Sequence, residues 1–331
     1  MTLGWGIIGT GGFAGSAVAP AINALGDRGT LVAAVSRDRG RADEFAAKHG
    51  AARAYTAYED LLRDPGVQII YISTPNAQHA EQAIAAARAG KHVLCEKPLA
   101  LTSAEARRVV EEFAKAGLKL GTHFQTRHHT AFVETKRLLE ERAIGDVILV
   151  QVEISPGAAP LRGWRTEPSL AGLGVINNLG VHAYDLLRYL LGSEVREVVA
   201  LTNVGRTQEL ERMAVALLRF ENGVLAYVNA NQNVPFYQPD IAIYGTSGRI
   251  VGADCTRPFR DGELRIVTEA GERVTKHTSR DAVVRSVAAF NTAVAENREP
   301  NASGVDGWRN VQVTEALIAS AREGRLTQVA R

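Results

Sequence analysis

The feature that leaves this chain the fewest alternatives stands near its beginning. An apolar run, Gly6-Ile7-Ile8-Gly9, passes directly into Thr10-Gly11-Gly12-Phe13-Ala14, and alanine-rich sequence with helical spacing follows over about 14–25. The segment fits G-x-G-x-x-[G/A] between a strand and a helix, the context that separates a phosphate-cradling turn from a loose glycine loop. Each small residue has its own task. Gly9 permits the tight turn, Gly11 lets the main chain approach a pyrophosphate, and Ala14 lets the helix pack on the strand. The N–H groups at the start of the helix have no partner within it and carry a partial positive charge suited to phosphate. A bare turn with nothing bound is the alternative; the surrounding pattern favours a dinucleotide.

Strand-like runs from Thr30, Val67, Lys91 and Leu118 then alternate with helical stretches at about 41–50, 77–89 and 103–116. Alternation at short spacing implies parallel strands joined by helical crossovers, so 1–122 is expected to form a doubly wound Rossmann sheet. Beyond residue 122 the rhythm changes. A helix at about 131–141 leads into a strand from Asp146, and strands from Met213 and Val224 flank Glu221-Asn222-Gly223, a hairpin turn signal. A second turn-linked pair lies within 240–252, and helices are expected at about 281–297 and 307–322. Residues 123–331 are therefore expected to form an α+β domain for substrate binding and oligomerisation, its sheet open, mostly antiparallel and covered by helices on one face. With 331 residues, 46% of them hydrophobic, both domains can bury a core.

Charge and cysteine usage narrow the partners. Basic and acidic residues, 38 and 36, are scattered and leave a net +2, which gives no footprint for nucleic acid. No apolar run approaches the roughly 20 residues that span a bilayer, and the first residues lack the pattern of a signal peptide. Cys95 and Cys255 stand in no metal or redox spacing. We expect a cytoplasmic protein with free thiols.

Two further stretches carry chemistry. After the second strand the chain reads Val35-Ser36-Arg37-Asp38, with Arg41 behind. A hydroxyl and guanidinium groups at Ser36, Arg37 and Arg41 suit a ribose 2′-phosphate, so NADP(H) is expected; NAD(H) stays open through Asp38 after a one-residue shift in register. Glu96-Lys97-Pro98 follows the strand from Lys91, at the carboxyl end where open parallel sheets bind ligands. Pro98 restricts that turn, and the bond before it is a candidate cis peptide.

Taken with these, "GIIGTGGFA", "YISTPNAQH" from Tyr71, "AGKHVLCEKPLALT" from Ala89, "GWR" from Gly163 and "AGLGVINNLGVHAYDLLRYLLG" from Ala171 give a specific signature. The chain resembles, over nearly its whole length, the glucose-fructose oxidoreductase / inositol dehydrogenase / MocA family of sugar dehydrogenases. Within the family, its "GWR" and "CEKPLA" wording is nearest to the 1,5-anhydrofructose reductase type, with dihydrodiol dehydrogenase and xylose dehydrogenase also near. The resemblance implies an NAD(P)-dependent dehydrogenase or reductase acting on CH–OH groups of a sugar-like substrate. Gly9, Thr10, Gly11, Gly12 and Phe13 would hold the cofactor diphosphate, with Ser73, Thr74, Pro75, Asn76 and His79 beside its ribose and diphosphate. Glu96 and Lys97 would stand by the nicotinamide ribose, Lys97 also reaching the substrate oxygen, while Trp164 and Arg165 approach the cofactor from the second domain. His182 would contact the substrate hydroxyl, and Gln125 and Arg127 substrate or cofactor.

The chain departs from the family pattern at two positions. Where an aspartate often precedes the histidine by four residues it has Asn178, an amide that hydrogen-bonds without stabilising an imidazolium; Leu173 replaces a glycine. Lys97 is therefore expected to be the main proton donor and acceptor, assisted by His182, as hydride moves between nicotinamide and a hydroxyl or keto carbon. His123, His128 and His129 lack spaced carboxylate or cysteine partners, and no metal is expected. A glycoside-cleaving enzyme that recycles tightly bound NAD, and a non-catalytic NADP-sensing regulator, are the alternative readings. The open sheet face implies a homodimer or homotetramer.

Overall fold

Every residue of β1 (Leu3–Ile8) is buried, a pattern suited to a strand flanked on both edges and covered on both faces. In a computed structural model, which describes residues 2–158, 161–172, 174–204, 210–235, 240–256 and 259–331, that strand lies in the first of two units. The first unit comprises Met1–Phe124 and Val283–Trp308, the second Gln125–Ala282 and Arg309–Arg331. Among the described residues, β1 pairs in parallel with β2 (Gly29–Val35), and β3 (Arg53–Tyr55), β4 (Ile69–Ile72), β5 (His92–Cys95) and β6 (Leu120–Thr122) complete a six-stranded parallel sheet ordered β3-β2-β1-β4-β5-β6. This is the doubly wound Rossmann order, with its reversal between β1 and β4.

Local chemistry sets the crossover helices. Asp38 caps the helix Arg39–His49 by accepting from Arg41 N at 2.8 Å, and Gly50 ends it in the left-handed conformation. Thr102 and Glu105 form a reciprocal capping box at the start of Ser103–Ala116. The sequence pattern did not reveal β3 or the helix Tyr58–Arg63, because three strand residues show no period. They are held instead by Asp64, whose carboxylate takes the Arg53 fork at 2.6 and 2.8 Å and the Tyr55 hydroxyl at 3.1 Å.

The core of this unit is completed from far along the chain. Val283, Val287 and Phe290 of the helix Ala282–Ala295 join Trp5, Ile7, Ile22 and Tyr71. Trp5 is wholly buried, so its indole N–H needs an acceptor. Asn291 Oδ1 provides it at 3.0 Å, and the same amide donates to the Arg28 carbonyl at 3.1 Å.

In the second unit, the described strands are β7 (Val147–Ile154), β8 (Val195–Thr202), β9 (Met213–Phe220), β10 (Leu225–Asn231), β11 (Asp240–Gly245), β12 (Gly248–Ala253), β13 (Asp261–Thr268), β14 (Gly271–Thr278) and β15 (Thr327–Gln328). They form one sheet ordered β14-β13-β12-β11-β7-β10-β9-β8-β15. Each neighbouring pair is antiparallel except β7 with β10. Along β9, Ala214, Ala216, Leu218 and Phe220 are buried while Leu217 and Arg219 are exposed, the period of a sheet with one covered face. Helices Thr130–Glu140, Val181–Leu191 and part of Gly304–Glu323 share the inner core. The outer face leaves Leu201 72% and Leu217 55% exposed.

Replacing Asn291 with leucine should strand the Trp5 indole and the Arg28 carbonyl without partners. The expected loss is about 1–3 kcal/mol, visible as a lower denaturation midpoint at unchanged slope. An unaltered midpoint would show that this amide carries no stability.

Candidate functional site

Parallel pairing of β1 with β4, and of β4 with β5, sets three carboxyl ends side by side. It thereby gathers 9–13, 73–76 and 96–98 at one edge of the first unit, with 36–41 following β2. Gly9 has φ +98°, and a Cβ there would sit 2.6 Å from the Ser73 carbonyl oxygen. The fold itself demands this glycine. Gly11 and Gly12 are different: both are exposed, and a Cβ on either would meet nothing within 4 Å. Protein packing does not require glycine at either position, and the open space beside them would let a ligand approach the main chain. Ala14 is fully buried under the helix that opens with the wide turn Ala14–Val18. Thr10 and Phe13, within the loop, are partly buried. These residues fit the diphosphate of a dinucleotide.

At the end of β2 the side chains divide. Asp38 spends its carboxylate on the helix cap, while Arg37 and Arg41 extend into solvent and Ser36 is partly buried. In the loop after β4, Thr74 donates its hydroxyl to Gln82 Oε1 at 2.7 Å, Ser73 and Pro75 are partly buried, and Asn76 is buried. His79 lies beneath. Its Nδ1 is 2.7 Å from the Pro98 carbonyl and its Nε2 is 3.0 Å from that of Thr74, so one ring ties the loop to the Glu-Lys-Pro turn. Burial pushes the His79 pKa down against the pull of those carbonyls.

The turn holds a partly buried Lys97 and a cis Lys97–Pro98 bond. Glu96 accepts from the Tyr71 hydroxyl and lies 2.9 Å from His123 Nδ1, and its other oxygen accepts from Lys97 N at 3.3 Å. Burial alone would push the Glu96 carboxyl up. The bond and charge of His123, the Lys97 cation and the Tyr71 hydroxyl outweigh it and hold the pKa at about 2. The site thus pairs a fixed anion with a neighbouring amine.

The second unit places its own candidates. His182 stands in the first turn of Val181–Leu191, Nδ1 3.5 Å from Thr126 Oγ1, and Asn178 lies in the preceding wide turn Ile176–Gly180. The carboxylate on the same helix, Asp185, is committed to Arg127 through bonds of 2.8 and 2.6 Å. Arg127 is accordingly buried, with Tyr189 5.1 Å beneath its guanidinium. Gln125 Oε1 is buried without a hydrogen-bond partner among the described residues. Trp164 and Arg165 share the turn Gly163–Thr166, the guanidinium 4.5 Å above the indole. His129 caps the helix Thr130–Glu140, accepting from Ala131 N at 3.0 Å. Leu173 lies outside the described residues.

Residues 3–124 match the family described as "Oxidoreductase family, NAD-binding Rossmann fold", and residues 132–251 match its "GFO/IDH/MocA C-terminal domain". The chain belongs to the GFO/IDH/MocA family. Among relatives of this GFO/IDH/MocA chain, 1,5-anhydro-D-fructose reductase of Ensifer adhaerens is 33% identical over 328 residues, 98% of each chain. D-xylose 1-dehydrogenase (NADP(+)) 2 of Haloferax volcanii is 30% identical over 98% of this chain and 99% of its own. The structure of levoglucosan dehydrogenase in complex with NADH superposes with a TM-score of 0.89 at 26% identity, covering both chains fully at 100%.

Sequence reasoning treated His123 only as one of several neighbouring histidines and did not pair Tyr71 with Glu96. The available signal was a tyrosine inside the otherwise aliphatic β4, since a buried hydroxyl needs a partner.

The two glycine roles make opposite predictions. Gly9→Ala should lower the melting temperature of the free protein, because both its φ and its space are forbidden to a side chain. Gly11→Val should leave that temperature within a degree or two yet weaken dinucleotide binding by about tenfold or more by calorimetry. Equal behaviour of the two variants would refute the distinction.

Proposed function

We propose that this oxidoreductase transfers hydride between NADP(H) and the hydroxyl or keto carbon of a sugar-like substrate, with Lys97 exchanging the proton. The observation that carries this reading is the Glu96-Lys97 turn at the same sheet edge as the glycine cradle. When bound, the nicotinamide supplies the hydride chemistry. Lys97 gives its proton to the oxygen of a carbonyl being reduced and takes one back in the opposite direction. His182, with Asn178 four residues before it, acts as an assisting hydrogen-bond partner. Gln125 offers its unsatisfied amide oxygen to a substrate hydroxyl, and Trp164 and Arg165 serve the cofactor. Arg127 is better read as holding its helix through Asp185. The sugar-like substrate is supported by the names of the relatives.

Lys97→Met should cut turnover by about three orders of magnitude while the cofactor dissociation constant stays within a few-fold. Near-normal turnover in steady-state assays with anhydro- and keto-sugars would remove Lys97 from this role.

NADP(H) preference is supported at the end of β2. Asp38, the group an NAD ribose would need, is engaged as a helix cap, and Arg37 and Arg41 are exposed. Arg37→Ala should weaken NADP+ binding by about tenfold, the scale of one charge-assisted contact, and leave NAD+ binding unchanged. A parallel loss for both dinucleotides would refute the 2′-phosphate assignment.

The exposed outer face of the second sheet, with Leu201, Leu217 and Leu225, is read as the surface joining two copies of the chain. Leu217→Lys should then lower the mass measured by light scattering to that of a monomer, and an unchanged mass would exclude the face. No described helix is long and apolar enough to cross a membrane. The buried free thiols Cys95 and Cys255 suit a reducing, cytoplasmic setting.

A further inference from the structure

His123 is fully buried, with its ring against Phe13 at 6.0 Å and Tyr71 at 5.4 Å between centroids. Its Nδ1 lies 2.9 Å from Glu96 Oε1 and 2.8 Å from Tyr71 Oη, and the tyrosine hydroxyl donates to the same carboxylate oxygen. This crowding places a hydrogen on Nδ1. A lone pair on Nδ1 would face the lone pairs of the carboxylate, so Nδ1 carries the hydrogen and Glu96 receives two donors. Nε2, on the far side of the ring, is buried without a hydrogen-bond partner among the described residues.

A buried nitrogen left without a bond is a standing cost. Leucine or phenylalanine would fill the space without incurring it. What the imidazole adds is one N–H aimed at Glu96. The charges acting on Glu96 are those of His123 and Lys97, and Tyr71, Cys95 and His79 are the other titratable groups around it.

We propose that His123 is a positioning residue whose Nδ1–H, together with the Tyr71 hydroxyl, clamps Glu96 as a permanent, oriented anion, so that Lys97 alone of the pair exchanges a proton with substrate. The proposal rests on the reading of Lys97 given above. In the reductive direction the carbonyl carbon gains hydride from reduced nicotinamide, the C=O π pair moves to oxygen, and that oxygen takes a proton from the Lys97 ammonium. Lys97 is left neutral. Glu96 keeps its charge throughout and neither gives nor receives a proton.

The test follows the Glu96 carboxyl by ¹³C NMR in the full chain labelled at glutamate, with and without NADP+, the resonance being assigned by its loss in Glu96→Gln. In the wild type it should stay ionised down to about pH 3, and in His123→Leu its midpoint should rise by about one unit or more as a donor is lost. His123→Asn, which retains an N–H, should recover most of that rise. The acid limb of the kcat profile should move with the titration while KM stays within about twofold. A His123→Leu titration that superposes on the wild type, or an asparagine variant no better than leucine, overturns the clamp. If His123→Leu does not fold, Tyr71→Phe removes the other donor and should shift the midpoint in the same direction; no shift there overturns the proposal equally. Lys97→Met separates the two readings. Near-normal turnover in that variant ends the proton-exchange role of Lys97, whereas the Glu96 titration judges the clamp without any turnover.

Discussion

Parallel hydrogen bonding of β1 to β4, and of β4 to β5, is the constraint from which the first unit's chemistry follows. Parallel strands must all end at the same edge, and each must be followed by a crossover long enough to return the chain. The residues just after the strands are therefore gathered without any contact between them having to form first. Glycine loop, 73–76 and the Glu-Lys-Pro turn become neighbours for this reason. His79 then ties the second to the third by its two ring nitrogens.

Both units bury charge, and in each case the cost of removing it from water dictates how the group is surrounded. Glu96 remains ionised because donors from β4 and from the residue after β6, with the Lys97 cation, outweigh its burial. Asp185 and Arg127 solve the same problem as a two-pronged ion pair. The functional consequence differs. The first arrangement leaves an amine beside a fixed anion at the carboxyl edge of the parallel sheet, whereas the second consumes both charges and fixes one helix to the short turn before Thr130–Glu140.

Much of this was legible in the sequence where one residue type answers one local demand. The strand–turn–helix glycine pattern, the helix Ser103–Ala116, the β9–β10 hairpin around Glu221-Asn222-Gly223 and the turn at Pro98 were readable because helical spacing, turns and alternation act over a few residues. Other features left no such trace. β13 and β14 went unread, and β14 is largely exposed on both faces, so alternation does not announce it. Val283, Val287 and Phe290 looked like any amphipathic helix face, and nothing local says that they complete the core around Trp5. Arg127 offered a charge without showing that Asp185 would claim it.

The amino-acid order by itself determined that this chain would build a parallel nucleotide-binding sheet, where its cradle would open, and which lysine would stand at the edge. Those properties follow from steric and hydrogen-bonding rules that operate between near neighbours. Only the tertiary structure decided that a side chain at Gly9 would strike the Ser73 carbonyl while one at Gly11 or Gly12 would meet nothing, that Asp38 is occupied as a cap, and that Tyr71 and His123 meet at Glu96. Each of those outcomes depends on atoms brought together by strand register and helix packing, where burial decides what a polar group must bond to.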